Sequence, residues 1–254
     1  MKRALLAALL LVACGKSETV RASHEVLSDD VIPSDTLQLV TAIVADWSAT
    51  ATELRVYERT DAKAPWRLVM GPWPGVVGKG GTGWGMGRHG RGPYPNRSGP
   101  LKQEGDGRSP AGAFLLPRSF GYADTATTDL PYQRVDASWK CVDDPKSTRY
   151  NTILDERTVK VDWRSAEDMR RSDELYTWVV DVAHNPTRIP NGGSCIFLHV
   201  WGGPASATVG CTAMEEPQLA KLIGTLKPRW NPMFVLLPKS EYSALAPAWN
   251  LPAP

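Results

Sequence analysis

The sequence predicts a mainly β domain with short helices. Short runs rich in β-branched and aromatic residues recur along the chain, clusters of Gly and Pro separate them, and only two stretches carry helical signals. Of 254 residues, 42% are hydrophobic and 22% charged, enough for one core of ordinary domain size. The net charge of +2 argues against a strongly electrostatic partner such as nucleic acid.

At the start, Met1-Lys2-Arg3 and the apolar run Ala4–Ala13 have the charged and apolar regions of a secretory signal. That run is far shorter than the ~20 residues that span a bilayer. From Gly15 to about Asp35 the chain is polar and without apolar periodicity, as a tether should be, and His24 within it receives no role.

Residues 36–240 read as the folded domain. Leu37–Val44 and Leu54–Arg59 are strand-like, and Trp66–Val69 pairs with the second across the turn Asp61–Pro65. Gly78–Gly83 and Gly85–Gly90 match the dinucleotide-binding fingerprint in letters, but so many glycines followed by Pro93 forbid the helix it needs, so both read as loop. Pro110 and Gly112 predict a tight turn into a strand at Phe114–Leu116. Ser165 with Asp168 predicts a capped short helix through Arg170. Strands follow at Thr177–Val182 and Cys195–Val200. Pro217 opens a second helix whose Leu219, Leu222, Ile223 and Leu226 form one apolar stripe, and Met233–Leu237 is a last strand. Residues 241–254 read as a Pro-rich tail lying over the surface.

The candidate chemistry lies in Ile196-Phe197-Leu198-His199 and Thr208-Val209-Gly210-Cys211-Thr212-Ala213-Met214. A thiol near its usual pKa of ~8.5 needs a neighbouring imidazole to react at neutral pH, and His199 ends a strand-like run. Gly210 lets the backbone turn before Cys211, so that N–H groups there can face a substrate oxygen. The plain alternative is a buried cysteine and a hydrogen-bonded core histidine. Cys195, His199, Cys211 and His184 lack the paired spacing of a structural zinc site, so no metal is expected.

Thr208–Met214 resembles a variant of the Ser/Thr-His-Gly-Cys signature of YkuD-type L,D-transpeptidase domains, and Phe197-Leu198-His199 resembles their strand-borne catalytic histidine. Ser109-Pro110-Ala111-Gly112-Ala113-Phe114 is similar to the family's earlier Thr-Pro-x-Gly-x-Phe block. Val76-Val77-Gly78 and Gly193-Ser194-Cys195 are similar to one branch of the family, and the likeness runs from about Leu37 to Leu237. It implies a YkuD-like mixed β-sheet sandwich without metal or organic cofactor. It also implies a thioester on Cys211 with a peptidoglycan stem peptide, release of D-alanine, and transfer of the acyl group to an amine. His199 would be the general base, Gly210 and Cys211 N–H groups would hold the oxyanion, and Thr208 would orient the imidazole.

Two departures keep other outcomes open. Val209 stands where the commoner motif has histidine, and Ala213 where it has arginine, which removes a bidentate partner for a substrate carboxylate. An L,D-carboxypeptidase that resolves the thioester with water, or a wall-binding lipoprotein without turnover, are the alternatives. Trp84 and Trp201, near the motifs, are candidates to stack on sugar or peptide, and Arg108 to meet a stem carboxylate.

Leu11-Val12-Ala13-Cys14-Gly15 resembles a bacterial lipobox, which implies lipid on Cys14 and a chain anchored in the envelope facing the periplasm, with the outer membrane as the expected site. With Cys14 and Cys211 so assigned, Cys141 and Cys195 remain as an even pair in an oxidising compartment. Whether their Cβ atoms meet is for the fold to decide.

Overall fold

The computed structural model describes residues 30–254. The expected export signal, Cys14 and His24 lie outside them. The described chain is mainly β, with one large mixed sheet and two short helices.

Strands β1 (Gln38–Val44), β2 (Ala51–Glu58) and β3 (Arg67–Val76) form an antiparallel meander. The glycine-rich stretch expected to be loop contributes three short strands, β4 (Thr82–Trp84), β5 (Met86–Gly87) and β6 (Gly90–Arg91). Glycine is required beside them because chain segments touch: a Cβ on Gly78 would stand 2.2 Å from the Gly107 carbonyl oxygen. β4 pairs in parallel with β7 (Ser109–Leu115). Pro110 and Gly112, expected in a turn, are therefore inside a strand.

β8 (Ser119–Gly121) and β9 (Tyr132–Arg134) follow, then β10 (Trp139–Val142), β11 (Ile153–Asp155) and β12 (Ala166–Asp168). The helix expected at Ser165–Arg170 is thus a strand. Its segment has no apolar stripe to bury as a helix, and β10 takes its backbone groups in an antiparallel ladder that sets Cys141 opposite Glu167. The chain closes with β13 (Trp178–Asp181), β14 (Phe197–Val200), β15 (Thr212–Met214), α1 (Glu216–Thr225), β16 (Met233–Pro238) and α2 (Lys239–Trp249).

The large sheet runs β4-β7-β16-β1-β2-β3-β15-β14-β13-β8-β9, and β11-β10-β12 form a separate small sheet. Alternation sends Val40 and Phe234 to one face, where Leu219, Leu222 and Ile223 of α1 pack, and Leu39 and Val235 to the other, where α2 packs. Each fully buried aliphatic side chain of α1 contributes about 1.5–3 kcal/mol.

Two chain-end expectations are corrected. Residues 241–254 are not a surface tail: Tyr242, Leu245 and Trp249 of α2 are buried, and Leu251 joins them. Pro247 is tolerated in the last helical turn, where only one i−4 bond is lost, and burial of the apolar face outweighs that loss. The expected tether to Asp35 ends sooner, since Val31 and Ile32 are buried in the same cluster and Arg59 donates to the carbonyls of Pro33 and Thr36.

Candidate active site

Alternation on β14 decides what shares a face with Cys211. Leu198 points to α1, whereas Phe197 lies with Cys211, Cys195 and Tyr176 in a third apolar cluster. His199, two residues on from Phe197, shares that face. β14 and β15 are parallel with Leu198 opposite Thr212 and His199 opposite Ala213, so Cys211 and His199 are diagonal neighbours.

The offset prevents the expected contact in the resting structure. The Cys211 sulfur accepts the Phe197 N–H at 3.3 Å and donates to the Cys195 carbonyl oxygen at 3.5 Å, with no bond to His199. His199 Nδ1 lies 2.7 Å from the Val200 carbonyl oxygen. That oxygen can only accept, so Nδ1 carries the proton and Nε2 is the bare nitrogen. The Tyr176 ring packs edge-on against His199 at 5.1 Å, and its hydroxyl donates to Glu167 Oε1 at 2.5 Å.

Burial sets the protonation states. It pushes the thiol up to about 12, helped by the nearby Glu167 charge, and pushes the His199 imidazole down to about 4. It also pushes the Glu167 carboxyl up to about 7, against the hydrogen bond from Tyr176 and the charge of Arg171. Thiol and imidazole therefore rest as neutral groups at pH 7.

Cys211 opens onto a cavity of about 330 Å³ lined also by Lys79, Lys102, Glu104, Asp143 and Glu167. Lys102 is buried, its Nζ bonded to Asp106 at 2.6 Å, and lies 3.8 Å from where a Gly210 side chain would begin. Val209, where the commoner motif has histidine, is 69% exposed on the cavity wall.

The turn before the thiol is held by hydroxyls. Thr208 Oγ1 donates to the Cys211 carbonyl oxygen at 2.6 Å and accepts the Gly210 N–H at 3.1 Å, while Ser109 Oγ donates to the same carbonyl at 2.8 Å. Two expectations change here. Thr208 orients the turn rather than the imidazole, and the Gly210 N–H is taken up by Thr208 instead of facing a substrate.

Cys141 and Cys195 form a disulfide with Cα atoms 5.9 Å apart, which ties the small sheet to the segment entering β14. Trp84 is not available for stacking: it is 1% exposed in the core, with its Nε1 donating to Ser98. Arg108 does not line the cavity either, because its guanidinium turns back onto the Thr82 carbonyl. Trp201 is half-buried just past β14, also off the cavity, its N–H bonded to the Met214 carbonyl.

The four residues weighed as zinc ligands have other partners. The Cys195 sulfur is in the disulfide, and His184 uses both ring nitrogens, on the Met86 N–H and the Gly192 carbonyl. Among the described residues no group of three His, Cys, Asp or Glu side chains is placed to hold a metal ion. Sequence reasoning missed Tyr176 and Glu167. No pattern marks either, since their meeting depends on the small sheet closing over β13 and β14.

Comparison with family models, curated proteins and solved structures finds no match to this chain.

Proposed function

We propose that the protein is a cysteine acyltransferase of the L,D-transpeptidase type, with a YkuD-like domain acting on peptidoglycan stem peptides. One observation carries the reading. Cys211 opens onto a cavity from the edge of a parallel strand pair, and on the neighbouring strand His199 shares its face with Nδ1 held by the Val200 carbonyl, so that an unprotonated Nε2 is free.

The Cys211 thiolate attacks the carbonyl of the diaminopimelate residue, expels D-alanine and leaves a thioester, which an amine of another stem or a wall-linked protein then takes. His199 Nε2 serves as general base and acid. The Cys211 N–H faces the oxyanion, since the Gly210 N–H is engaged. In place of the arginine lost at Ala213, Lys79 on the cavity wall supplies the positive charge that a stem carboxylate needs, since Lys102 is held by Asp106. Lipid on Cys14 anchors the domain in the outer membrane, facing the periplasm, and no metal or cofactor takes part.

The test is mass analysis of purified disaccharide tetrapeptides incubated with the chain from Cys14 onward, with Cys211→Ala in parallel. Cross-linked dimers from the parent alone are expected. Shortened monomers alone would replace the transpeptidase with a carboxypeptidase. One observation favours a wall-binding lipoprotein without turnover, namely burial that pushes the thiol up to about 12. Unchanged substrate with both proteins, and wall binding kept by Cys211→Ala, would establish that reading instead.

A further inference from the structure

Lys102 brings a buried charge to the wall where the thiol lacks a hydrogen-bond donor. Its side chain is 3% exposed, and it lines the same cavity as Gly210 and Cys211. Lysine is buried this deeply only when paired, and its pair is Asp106, whose Oδ1 accepts from Nζ at 2.6 Å. Nζ also donates to the Gln103 carbonyl oxygen at 2.7 Å. An ammonium carries three N–H groups, so one is left without an acceptor among the described residues.

The ammonium is fixed in place from several sides. Asp106 accepts the Gln103 N–H at 2.7 Å and the Arg108 N–H at 2.9 Å, which locks the carboxylate that holds it. The lysine stem runs against bare backbone, since a Cβ on Gly193 would stand 2.9 Å from Lys102 Cε. Nζ itself lies 3.8 Å from the Cβ position of Gly210, the residue whose peptide link to Cys211 carries the Cys211 N–H. The Gly210 N–H is taken by Thr208, so this turn offers an oxyanion one backbone donor instead of two.

We infer that Lys102 is a catalytic residue whose third Nζ–H holds the oxyanion beside the Cys211 N–H, in the place the Gly210 N–H does not fill. This rests on the reading of Cys211 as the nucleophile and adds to it a side chain that touches the reacting oxygen. As the thiolate forms its S–C bond, the carbonyl π pair moves onto oxygen, which accepts from Lys102 Nζ and the Cys211 N–H. When that pair returns, the C=O bond reforms and the C–N bond breaks. The amine then leaves with the proton that His199 took from the thiol, and Lys102 keeps all of its own. A donor fixed before the charge develops costs no reorganisation during the reaction. The Lys102 charge also draws the thiol down against its burial, a second effect that the test has to separate.

The experiment uses the full-length chain with Cys14→Ser, in which Cys211 is the free thiol, and compares two of its reactions. Acetylation by p-nitrophenyl acetate passes through an oxyanion, alkylation by iodoacetamide does not, and both draw on the same thiolate. The ratio of the two rates, each corrected with Cys211→Ala, therefore isolates oxyanion stabilisation from thiolate supply. Lys102→Met should lower that ratio by about tenfold or more. This variant leaves Asp106 without its cation, so Lys102→Met combined with Asp106→Asn decides the question if the single variant does not fold. A parent-like ratio in the folded variant would overturn the inference, even where both rates fall together, because Lys102 would then serve the thiolate alone. A parent whose Cys211 takes neither reagent would overturn the reading of Cys211 as nucleophile and the inference with it. Neither reagent is a stem peptide, so failure of the oxyanion role is distinguishable from failure to turn over stem peptides.

Discussion

The Cys211 thiol donates to the carbonyl oxygen of Cys195, 3.5 Å away, and Cys195 is tied to Cys141 by the disulfide. The Cys211 sulfur is therefore positioned by a carbonyl that a covalent cross-link holds in place. Cys195 itself has a φ of +55°, in the left-handed region, with its N–H donated to Asn151 Oδ1 at 3.0 Å.

Removing that cross-link should loosen the site as well as the fold. The bonded cysteines are 54 residues apart, and for a loop of that length the chain-entropy model gives about 4 kcal/mol. Calorimetry of the double variant Cys141→Ala with Cys195→Ala should show a lower Tm, and Cys211 should alkylate faster than in the parent. An unchanged alkylation rate would mean that the bond from the Cys195 N–H to Asn151 is enough to keep this segment in place.

Thr208 makes two hydrogen bonds that close the turn before Cys211. Thr208→Val keeps the shape and removes both, at a cost of about 1–2 kcal/mol measured by urea unfolding. Ser109 still holds the Cys211 carbonyl, so the variant should fold. Stem-peptide turnover should nevertheless fall, because the released Gly210 N–H no longer fixes the backbone ahead of the thiol.

Gly112 cannot take a side chain. Its φ is +139°, and a Cβ there would stand 2.0 Å from His89 Cε1, a buried ring wedged against Trp84, Phe114 and Trp249. Gly112→Ala should cost more than about 3 kcal/mol, since overpacking and backbone strain add. Expression as soluble protein and thermal unfolding check this, and a parent-like Tm would refute it.

Acid should destabilise the protein through its buried histidines. His89, His184 and His199 titrate at about 4, about 3 and about 4 in the fold, against 6.5 in the unfolded chain, in each case chiefly because burial disfavours the charged ring. Between those values the unfolded chain binds more protons, so stability falls as pH falls through the window. Glu167 works the other way: its raised pKa favours the fold below 4.5, and that contribution is lost as pH rises through about 7. From about pH 7 to about pH 5 each histidine costs about 2 kcal/mol, and Glu167 returns about 2, for a net loss of about 4 kcal/mol. Urea midpoints at the two pH values test the sign and the size, and a flat profile would contradict it.

The strands at the edges of the motifs were legible because their patterns are local. β1 carries a β-branched run, β14 and β16 carry short apolar runs that include a phenylalanine, and α1 carries an apolar stripe whose members are the ones found buried. The errors share a cause. Ala166–Asp168 is a strand because β10 lies beside it, and Tyr242–Trp249 is helical despite Pro247 because its apolar face meets the sheet. The β10 partner is separated from the first segment by β11, and the second meets β1, far away in sequence, as well as the β16 that directly precedes it.

The sequence by itself determined the mainly β class, the strand that carries His199, and the Gly210–Cys211 turn, all of which rest on residues within a few positions of one another. Only the tertiary structure decided that the thiol faces Cys195, Tyr176 and Glu167 instead of bonding to His199, and that Trp84 belongs to the core. Parallel-strand register sets the first, because a two-residue offset along β14 and β15 separates the imidazole from the sulfur. Burial sets the second and the protonation states with it, because a group's pKa depends on which distant segments exclude water from it.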